Sequence, residues 1–511
     1  MREQSRAFFA TVNPTVFTTS AIVIVLFVLF GVVFTETANT VFSVIHSGIT
    51  HYFGWFYILA VTIFLGFLIW LSLSRYGTIR LGQPYEKPEF SFIGWFSMLF
   101  SAGMGIGLVY WSVAEPILHY ENPPEGAGTT IEAARQAMVY SFFHWGLHAW
   151  AIYVVLGMSV AYFSFRKQLP LTIRSIFYPM LGDRIYGPIG HLIDILAVFG
   201  TLFGLATSLG FGAMQLNTGL HILTGMPVSQ WVQVGIIASI TAVAVMSVIS
   251  GLDRGLKWLS LFNLGLAIVL MAFVFIVGPT LFNLRFFLES IGTYFNQLTQ
   301  MSLSTDAFGN SDWQKEWTIF YWAWWIAWSP FVGIFIARIS RGRTIREFIA
   351  GVLLLPSLFV FAWLTTFGGT ALHLEMFGDG TAIGAAVAED TTVALYTTLG
   401  MLPFPTLASA VATLLIATYF VTSSDSGTHV VDALISRGST HSPKRQRVIW
   451  GITEGAIAAT LLIVGGEQAL DGLQTGSLIA GLPVAVILLI ACVSLFRALQ
   501  QEEPLLHSGK D

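Results

Sequence analysis

Apolar residues occupy long runs along most of the chain, and short polar segments separate these runs. A run of about 20 apolar residues is long enough to cross the hydrocarbon core of a bilayer as a helix. Twelve such runs occur, and we predict that each forms a membrane span. In order, the predicted spans are residues 15–35, 53–74, 91–113, 136–163, 190–222, 231–250, 256–278, 316–338, 347–371, 403–424, 448–466 and 475–496.

The segment between spans seven and eight, residues 279–315, is too polar to cross a bilayer. Its apolar residues, including Phe282, Phe286 and Tyr294, recur among polar residues at a roughly helical period. This pattern is typical of an amphipathic helix that lies along a membrane surface. We predict such a helix on the outer face of the protein.

The composition indicates the same class of protein. Of the 511 residues, 55% are hydrophobic and only 10% are charged, whereas soluble domains carry about 25% charged residues. The chain is therefore predicted to be an all-α integral membrane protein. Its 24 basic and 28 acidic residues form no basic stretch suited to a nucleic acid, so the expected surroundings are a lipid bilayer, and no nucleic-acid partner is expected.

Basic residues are distributed unevenly between the connecting loops. They cluster in the loops after spans two, four, six, eight and ten, and near both ends of the chain. The opposite loops contain only Arg135, Arg285 and Lys315. Because loops rich in Lys and Arg remain in the cytoplasm, both termini are predicted to be cytoplasmic.

Two predicted spans carry residues that interrupt helices. Span three contains Ser-Ala-Gly-Met-Gly-Ile-Gly at residues 101–107, and span eight contains Ser329-Pro330. Each glycine weakens a helix by about 1 kcal/mol relative to alanine, and proline removes a backbone donor. Broken helices in corresponding positions of two halves indicate an inverted-repeat transporter with a site near the bilayer midplane. The spacing of Gly103 and Gly107 is also typical of close helix packing, and this alternative stays open.

These interruptions predict two repeats of five spans each, spans three to seven and spans eight to twelve. Spans one and two precede the repeats. The predicted layout is therefore residues 1–14 as a cytoplasmic N-terminus, 15–90 as two peripheral helices, 91–278 as the first inverted repeat, 279–315 as the extracellular amphipathic helix, 316–496 as the second inverted repeat and 497–511 as a short cytoplasmic tail.

Two spans are rich in large aromatic residues. Span eight contains four tryptophans within seven positions, namely Trp322, Trp324, Trp325 and Trp328. Span four carries a second set, Trp145, Trp150 and Tyr153. Such a set could be an aromatic belt at the membrane interface. It could also bind a cation that lacks hydrogen-bond donors, such as a trimethylammonium group, over its ring faces, and two sets on two spans favour this interpretation.

These segments resemble motifs of the betaine/choline/carnitine transporter family. The resemblance extends from about Asn13 to Phe496 and is greatest to the bacterial choline-transporter branch. The motifs that carry it are Gly-Met-Gly-Ile-Gly at 103–107, Ala-Glu-Pro at 114–116, His-Trp-x-x-x-x-Trp-x-x-Tyr at 144–153, Trp-Ala-Trp-Trp-Ile-Ala-Trp-Ser-Pro-Phe at 322–331 and Ala-Arg-Ile-Ser-Arg-Gly-Arg-Thr-Ile-Arg at 337–346.

The resemblance implies twelve transmembrane helices with the leucine-transporter-like inverted repeat, in a homotrimer of the bacterial cytoplasmic (inner) membrane. It implies osmoprotective, secondary active uptake of a small quaternary ammonium compound, choline or glycine betaine, by a symporter driven by protons or sodium. The alternatives are a gradient-independent exchanger of carnitine-type substrates and a carrier of a related osmolyte such as ectoine. We expect no enzymatic activity and no cofactor apart from the coupling ion.

The resemblance also assigns a substrate site. Its aromatic box maps onto Trp145, Trp150, Tyr153, Trp324, Trp325 and Trp328. Backbone groups of Gly103, Met104 and Gly105 would contact a carboxylate or hydroxyl of the substrate. Many choline carriers of the family have an aspartate at the next site position, where this chain, like betaine carriers, has Gly107.

The coupling ion is less clearly indicated. Sodium-coupled relatives use hydroxyls on span ten and carbonyls of the glycine segment, which correspond here to Ser101, Met104, Tyr419, Thr422 and Ser423. A second family sodium site is expected to be lost, because Leu205 replaces one of its two threonines. Sodium-independent exchangers carry an arginine in span seven, and residues 258–278 contain none. Acidic residues near or within spans are functional candidates, so the candidate proton carriers are Glu115, Asp194 and Asp425.

Overall fold

The computed structural model describes residues 12–103, 105–250, 253–308, 312–378, 383–438, 443–466 and 469–502. Within these ranges the regular structure is entirely helical, with a single isolated β-bridge between Arg80 and Thr344. The principal helices are α1 (Pro14–Val33), α2 (Thr35–Leu73), α3 (Phe92–Gly103), α4 (Ile106–Glu121), α5 (Ile131–Trp145), α6 (Leu147–Ala161), α7 (Pro188–Thr224), α8 (Gln230–Ser250), α9 (Asp253–Val277), α10 (Thr280–Leu303), α11 (Phe320–Ile339), α12 (Ile345–Leu364), α13 (Thr370–Phe377), α14 (Ile383–Glu389), α15 (Ala394–Gly400), α16 (Pro405–Ile435), α17 (Lys444–Gly465) and α18 (Ala469–Gln500).

Eleven helical segments of the described chain are long and apolar enough to cross a membrane. They correspond to all the predicted spans except the third, so the prediction of an all-α, multi-pass membrane protein is confirmed. Several helices exceed their predicted lengths, most clearly α2, which has 39 residues. The third predicted span is divided into α3 and α4, each of which is shorter than a full span.

The predicted interruption of span three at its glycines is confirmed. Helix α3 ends at Gly103, and α4 begins at Ile106. Between them, Gly105 has an extended backbone, with φ −149° and ψ −172°. Glycine loses more conformational entropy than other residues when it becomes helical, so this segment is the weakest part of the span.

The predicted interruption of span eight at Ser329-Pro330 is wrong. Helix α11 continues through Pro330 to Ile339. Proline cannot donate the backbone hydrogen bond that the carbonyl of Ile326 would normally receive. The hydroxyl of Ser329 donates to this carbonyl at 2.7 Å instead, which compensates for the missing donor. The inverted repeat therefore stays a prediction.

Span four has an interruption that the sequence pattern did not indicate. Helices α5 and α6 are separated by Gly146, whose backbone has φ −94° and ψ −132°. A Cβ atom at Gly146 would lie 2.5 Å from the carbonyl oxygen of Phe142 and 2.6 Å from the ring of Phe361. Glycine thus permits both the bend and the close approach of α12.

Helix α11 forms the centre of the bundle. Its residues from Phe320 to Ile334 are all buried, and it packs against α6, α7 and α18. In contrast, only about a fifth of the apolar stretches of α1, α8 and α9 is buried inside the protein, as expected for helices that face lipid. A side chain on α11 is therefore surrounded by protein.

Two connections between spans are also described. The segment before span eight does contain a helix, α10, which buries one face through Asn283, Phe286, Ser290 and Tyr294. Its position on the outer face of the membrane stays a prediction. After α11, the guanidinium of Arg346 donates to the carbonyl of Ser72 at 2.8 Å. It thus provides a hydrogen bond for a carbonyl in the last turn of α2, where such groups lack helical partners.

Candidate functional site

A cavity lies where the interrupted span three meets α6 and α11. It is lined by Gly105, Gly107, Leu108, Trp145, Ala149, Trp150, Tyr153, Trp325, Trp328 and Val360. The two aromatic sets that the sequence placed on spans four and eight therefore converge on one chamber. Among the described residues that line it, none is charged.

The rings around the cavity are closely packed. The ring centroids of Trp145 and Trp325 are 4.8 Å apart with an interplanar angle of 69°, and those of Tyr153 and Trp328 are 6.3 Å apart at 86°. The free volume between the rings is about 20 Å³, enough for roughly one water molecule. A trimethylammonium group is much larger than a water molecule, so it can enter only when the rings separate.

Trp324 occupies a different position from the other five predicted box residues. Its ring stacks behind Trp325, with centroids 4.5 Å apart, and does not line the cavity. Its indole nitrogen donates to the carbonyl of Gly204 on α7 at 3.3 Å. Trp324 therefore supports Trp325 and connects it to α7.

The glycines predicted for the site lie at its edge. Gly105 and Gly107 line the cavity, and Gly103 ends α3. Met104 lies outside the described residues. A Cβ atom at Gly107 would be 2.5 Å from the ring of Trp324 and 3.3 Å from that of Trp145, so the absence of a side chain at this position allows the rings to approach.

Two buried polar atoms belong to residues that line the cavity and have no hydrogen-bond partner in the described structure. They are the hydroxyl of Tyr153 and the indole nitrogen of Trp328. The indole nitrogen of Trp325, in contrast, donates to the carbonyl of His144 at 2.8 Å. A buried donor without an acceptor costs about 1–3 kcal/mol. The cavity therefore combines aromatic faces with two donors that a ligand could satisfy.

A buried carboxylate lies behind the box. One oxygen of Glu115 accepts hydrogen bonds from the indole nitrogen of Trp145 at 2.7 Å and from the hydroxyl of Tyr321 at 2.5 Å. The other oxygen lies 2.7 Å from Nδ1 of His144 and 3.3 Å from Nε2 of His119. Glu115, one of the candidate proton carriers, thus has a further role in holding Trp145.

The same cluster has the composition of a possible metal site. Ligand atoms of Glu115, His119 and His144 lie within 4.8 Å of one another. One carboxylate oxygen of Glu115 is within hydrogen-bond distance of both imidazole rings, at 2.7 Å from His144 and 3.3 Å from His119. His148 lies apart from them, and its Nε2 is 2.8 Å from the hydroxyl of Ser302. We therefore interpret the cluster as a hydrogen-bond network.

The residues predicted for a sodium site are only partly described, because the structure describes neither Met104 nor the side chain of Ser101. Tyr419 is buried and lines a small cavity next to Gly105. The hydroxyl of Thr422 accepts a hydrogen bond from Asn263 Nδ2 at 3.1 Å, and the neighbouring Ser423 is half-buried.

Asn263 was not identified from the sequence. It lies on α9 and is buried, and its Oδ1 atom has no hydrogen-bond partner in the described structure. An oxygen of this kind suits a small hard cation. The packing of α9 against α16 brings Asn263 next to Thr422, and the sequence alone does not indicate this packing.

The other two candidate proton carriers have different surroundings. Asp194 lies 2.7 Å from the guanidinium of Arg174, and both side chains are buried. Such a pair is costly to separate, which favours a structural role for Asp194. Asp425 is also buried, and its carboxylate is 3.8 Å from Nε2 of His429, one turn later on α16.

Comparison with known proteins agrees with the geometry of the chamber. The family model described as BCCT, betaine/carnitine/choline family transporter, matches residues 15–504. A probable glycine betaine transporter of Desulfitobacterium hafniense is 45% identical over 96% of this chain and 98% of its own. The glycine betaine transporter OpuD of Bacillus subtilis is 46% identical over 93% of this chain and 92% of its own. The high-affinity choline transport protein of Escherichia coli is 43% identical over 96% of this chain and 73% of its own.

Proposed function

This chain belongs to the betaine/carnitine/choline transporter family, and on that premise we propose that it takes up glycine betaine in preference to choline. Uptake is secondary active transport by alternating access, and the quaternary ammonium group binds between Trp145, Tyr153, Trp325 and Trp328. The observation that carries the proposal is the pair of unpartnered donors, Tyr153 Oη and Trp328 Nε1, beside these ring faces.

The cavity matches the two ends of a zwitterion. A methylated ammonium group has no N–H, so its attraction to the site comes from its charge over the ring faces, about 2 kcal/mol or more when desolvated. A carboxylate on the same molecule can accept hydrogen bonds from Tyr153 Oη and Trp328 Nε1. Choline has a hydroxyl instead, which accepts these bonds less strongly than a charged group does.

The residue at position 107 supports the same preference. A pure cation would gain from an acidic side chain in the cavity wall, but Gly107 offers none, and a Cβ atom there would contact Trp324. A zwitterion brings its own negative charge. Glycine betaine therefore needs no protein anion in direct contact.

The transporter is proposed to be a homotrimer in the bacterial cytoplasmic membrane, with both termini in the cytoplasm and a proton or sodium gradient as its driving force. The oxygens of Thr422, Ser423 and Asn263 could contribute to a sodium site, together with Ser101 and Met104. Leu205 at the second family sodium position argues for fewer sodium ions per cycle, since a hydrocarbon side chain cannot coordinate a cation.

Uptake by purified protein in proteoliposomes tests this proposal. Labelled glycine betaine should accumulate under an inward proton or sodium gradient, and labelled choline should do so less effectively. Collapsing all gradients should abolish accumulation. Equal uptake with and without gradients would indicate a passive or exchange mechanism, and stronger accumulation of choline would overturn the substrate preference.

A further inference from the structure

Glu454 is a buried acid that lies far from the aromatic chamber in sequence and was not identified by the sequence analysis. It occupies the middle of α17 (Lys444–Gly465) and is completely buried. Its Oε2 atom accepts from the hydroxyls of Ser424 and Thr428 on α16, at 3.4 and 3.3 Å. Its Oε1 atom has no hydrogen-bond partner in the described structure.

No cation balances this carboxyl group among the described residues. Helix α17 packs against α1, α2, α7, α8, α16 and α18, and α1 and α8 contain no titratable side chain. Lys444, Arg445 and Arg447 lie at the first turn of α17, where Arg447 pairs with Asp432. Of the acidic and basic groups on the other helices, Asp425 follows the Ser424 that donates to Glu454, and it is itself acidic and faces His429. These groups are Glu36, His46 and His51 on α2, His191, Asp194 and His221 on α7, Asp425, His429 and Asp432 on α16, and Asp471 and Arg497 on α18.

These surroundings favour proton binding at Glu454. A buried carboxylate without a cationic partner costs several kcal/mol. Binding of a proton at the Glu454 carboxyl removes this uncompensated buried charge. Acids inside membrane spans commonly mark proton pathways.

We infer that Glu454 is the proton-carrying residue of this transporter, an inference that rests on the proposed transport function. Proton binding forms one O–H bond on the Glu454 carboxyl. Release breaks this bond and returns the proton to water on the side to which the bundle has opened. No other reactant takes part.

A chain of close contacts connects Glu454 to the aromatic chamber. A Cβ atom at Gly427 on α16 would lie 3.4 Å from Glu454 Oε1 and 2.1 Å from the side chain of Leu205. Gly204, which precedes Leu205, also packs closely against a neighbouring helix: a Cβ atom there would lie 2.8 Å from the backbone nitrogen of Trp328 on α11. A change of charge at Glu454 thus acts on the contact of α16 with α7, and α7 packs directly on the chamber.

The position of Leu205 is consistent with this role. Leu205 lies in the gap that Gly427 leaves beside Glu454. Its hydrocarbon side chain cannot coordinate a cation, so this neighbour of the carboxyl group favours binding of a proton over binding of a metal ion.

The decisive experiment compares wild type with Glu454→Gln in proteoliposomes under an inward proton gradient and equal sodium on both sides. A gradient of one pH unit supports about tenfold accumulation if one proton accompanies each substrate. Wild type should approach this ratio, whereas Glu454→Gln should equilibrate substrate at a ratio of about one. The variant should still bind glycine betaine, measured by tryptophan fluorescence, and should still exchange labelled for unlabelled substrate.

Glu36→Gln is the matched control, because it makes the same change at an exposed carboxyl on α2, and it should accumulate substrate as wild type does. Accumulation by Glu454→Gln with the pH dependence of wild type would overturn the inference. So would a wild-type transporter that responds only to sodium, although the proposed transport function would then stand. Absence of binding and uptake in wild type would instead overturn the proposed function.

A second measurement covers the case in which Glu454→Gln does not fold. Glu454→Asp retains the carboxyl on a shorter side chain, and it should keep proton-driven accumulation with a displaced pH profile. Proton entry should accompany substrate entry in wild type, as reported by a pH-sensitive dye inside the vesicles. Substrate entry without proton entry would refute the role of Glu454.

Discussion

The indole nitrogen of Trp145 donates a 2.7 Å hydrogen bond to the buried carboxylate of Glu115. Trp145 lines the chamber, whereas Glu115 does not. The carboxylate fixes the ring plane of Trp145 and increases the electron density of the ring that faces a bound cation. In the proposed site, Glu115 would act on the substrate through Trp145, as a positioning residue.

Replacing Glu115 by glutamine should weaken binding while the shape of the cluster is largely kept. A hydrogen bond to a charged group contributes about 1.5–3 kcal/mol, so the dissociation constant for glycine betaine should rise by about tenfold or more. Tryptophan fluorescence titration measures this change. Glu132→Gln, at a carboxyl that is largely exposed, should leave the constant unchanged, and an unaltered constant for Glu115→Gln would show that the carboxylate is not needed.

Trp325→Leu should be the most damaging change within the chamber. It removes the ring that contacts both Trp145 and Trp328, and the loss of a desolvated cation–π contact costs about 2 kcal/mol or more. We expect the apparent dissociation constant of the substrate to increase by well over tenfold. Trp55→Leu, at an exposed position on α2, is the control, and near-wild-type uptake by Trp325→Leu would exclude the assigned box.

Tyr153→Phe tests the recognition of the carboxylate. The mutation removes a buried hydroxyl that has no hydrogen-bond partner in the described structure, and the ring remains. Binding of glycine betaine should weaken by about tenfold, as expected for one bond to a charged acceptor, while binding of choline should change less. Competition titrations give both constants. Equal weakening for the two compounds would contradict a direct contact with the carboxylate.

Gly107→Ala tests whether the chamber depends on the missing side chain. The added methyl would lie 2.5 Å from the ring of Trp324, and overpacking of this kind costs about 1–3 kcal/mol. We expect weaker binding and a lower melting temperature. Gly48→Ala adds the same methyl where no atom lies within 4 Å and should be neutral. A stable Gly107→Ala protein with unchanged affinity would mean that Trp324 moves freely.

Stability at low pH should depend on Glu502, just after α18. Its carboxylate pairs with Arg166 and lies 2.9 Å from Lys167. Burial raises the pKa of this carboxyl, but its hydrogen bonds to these residues outweigh burial and lower the pKa to about 2, below the usual value of 4.5. The pairs therefore contribute stability above about pH 4.5, and this contribution declines as the pH falls towards 2. The difference in melting temperature between wild type and Glu502→Gln should shrink over this range, and a difference independent of pH would refute the assignment.

The sequence predicted those features that depend on local composition. Long apolar runs specified the spans, and three glycines close together specified the break between α3 and α4. The two aromatic sets also met as expected, since Tyr153 and Trp328 each lie on the inward face of a central helix. These features need little information about neighbouring helices.

The remaining features depend on tertiary contacts. The break expected at Pro330 did not occur because the hydroxyl of Ser329 replaced the missing donor, and Gly146 bends span four because α12 approaches it. Trp324 turned away from the chamber because Gly204 offers its indole nitrogen an acceptor. Glu454 lies in an ordinary-looking helix, and only its packing shows that no cation from the described part of the chain pairs with it.

The bend at Gly146 divides the span-four contribution to the chamber between two segments. Trp145 is the last residue of α5, whereas Trp150 and Tyr153 belong to α6. A substrate that contacts both segments links α5 to α6 and thereby restricts bending at Gly146. A compound that reaches only one segment would bind without locking the joint, and it would block the carrier rather than travel through it.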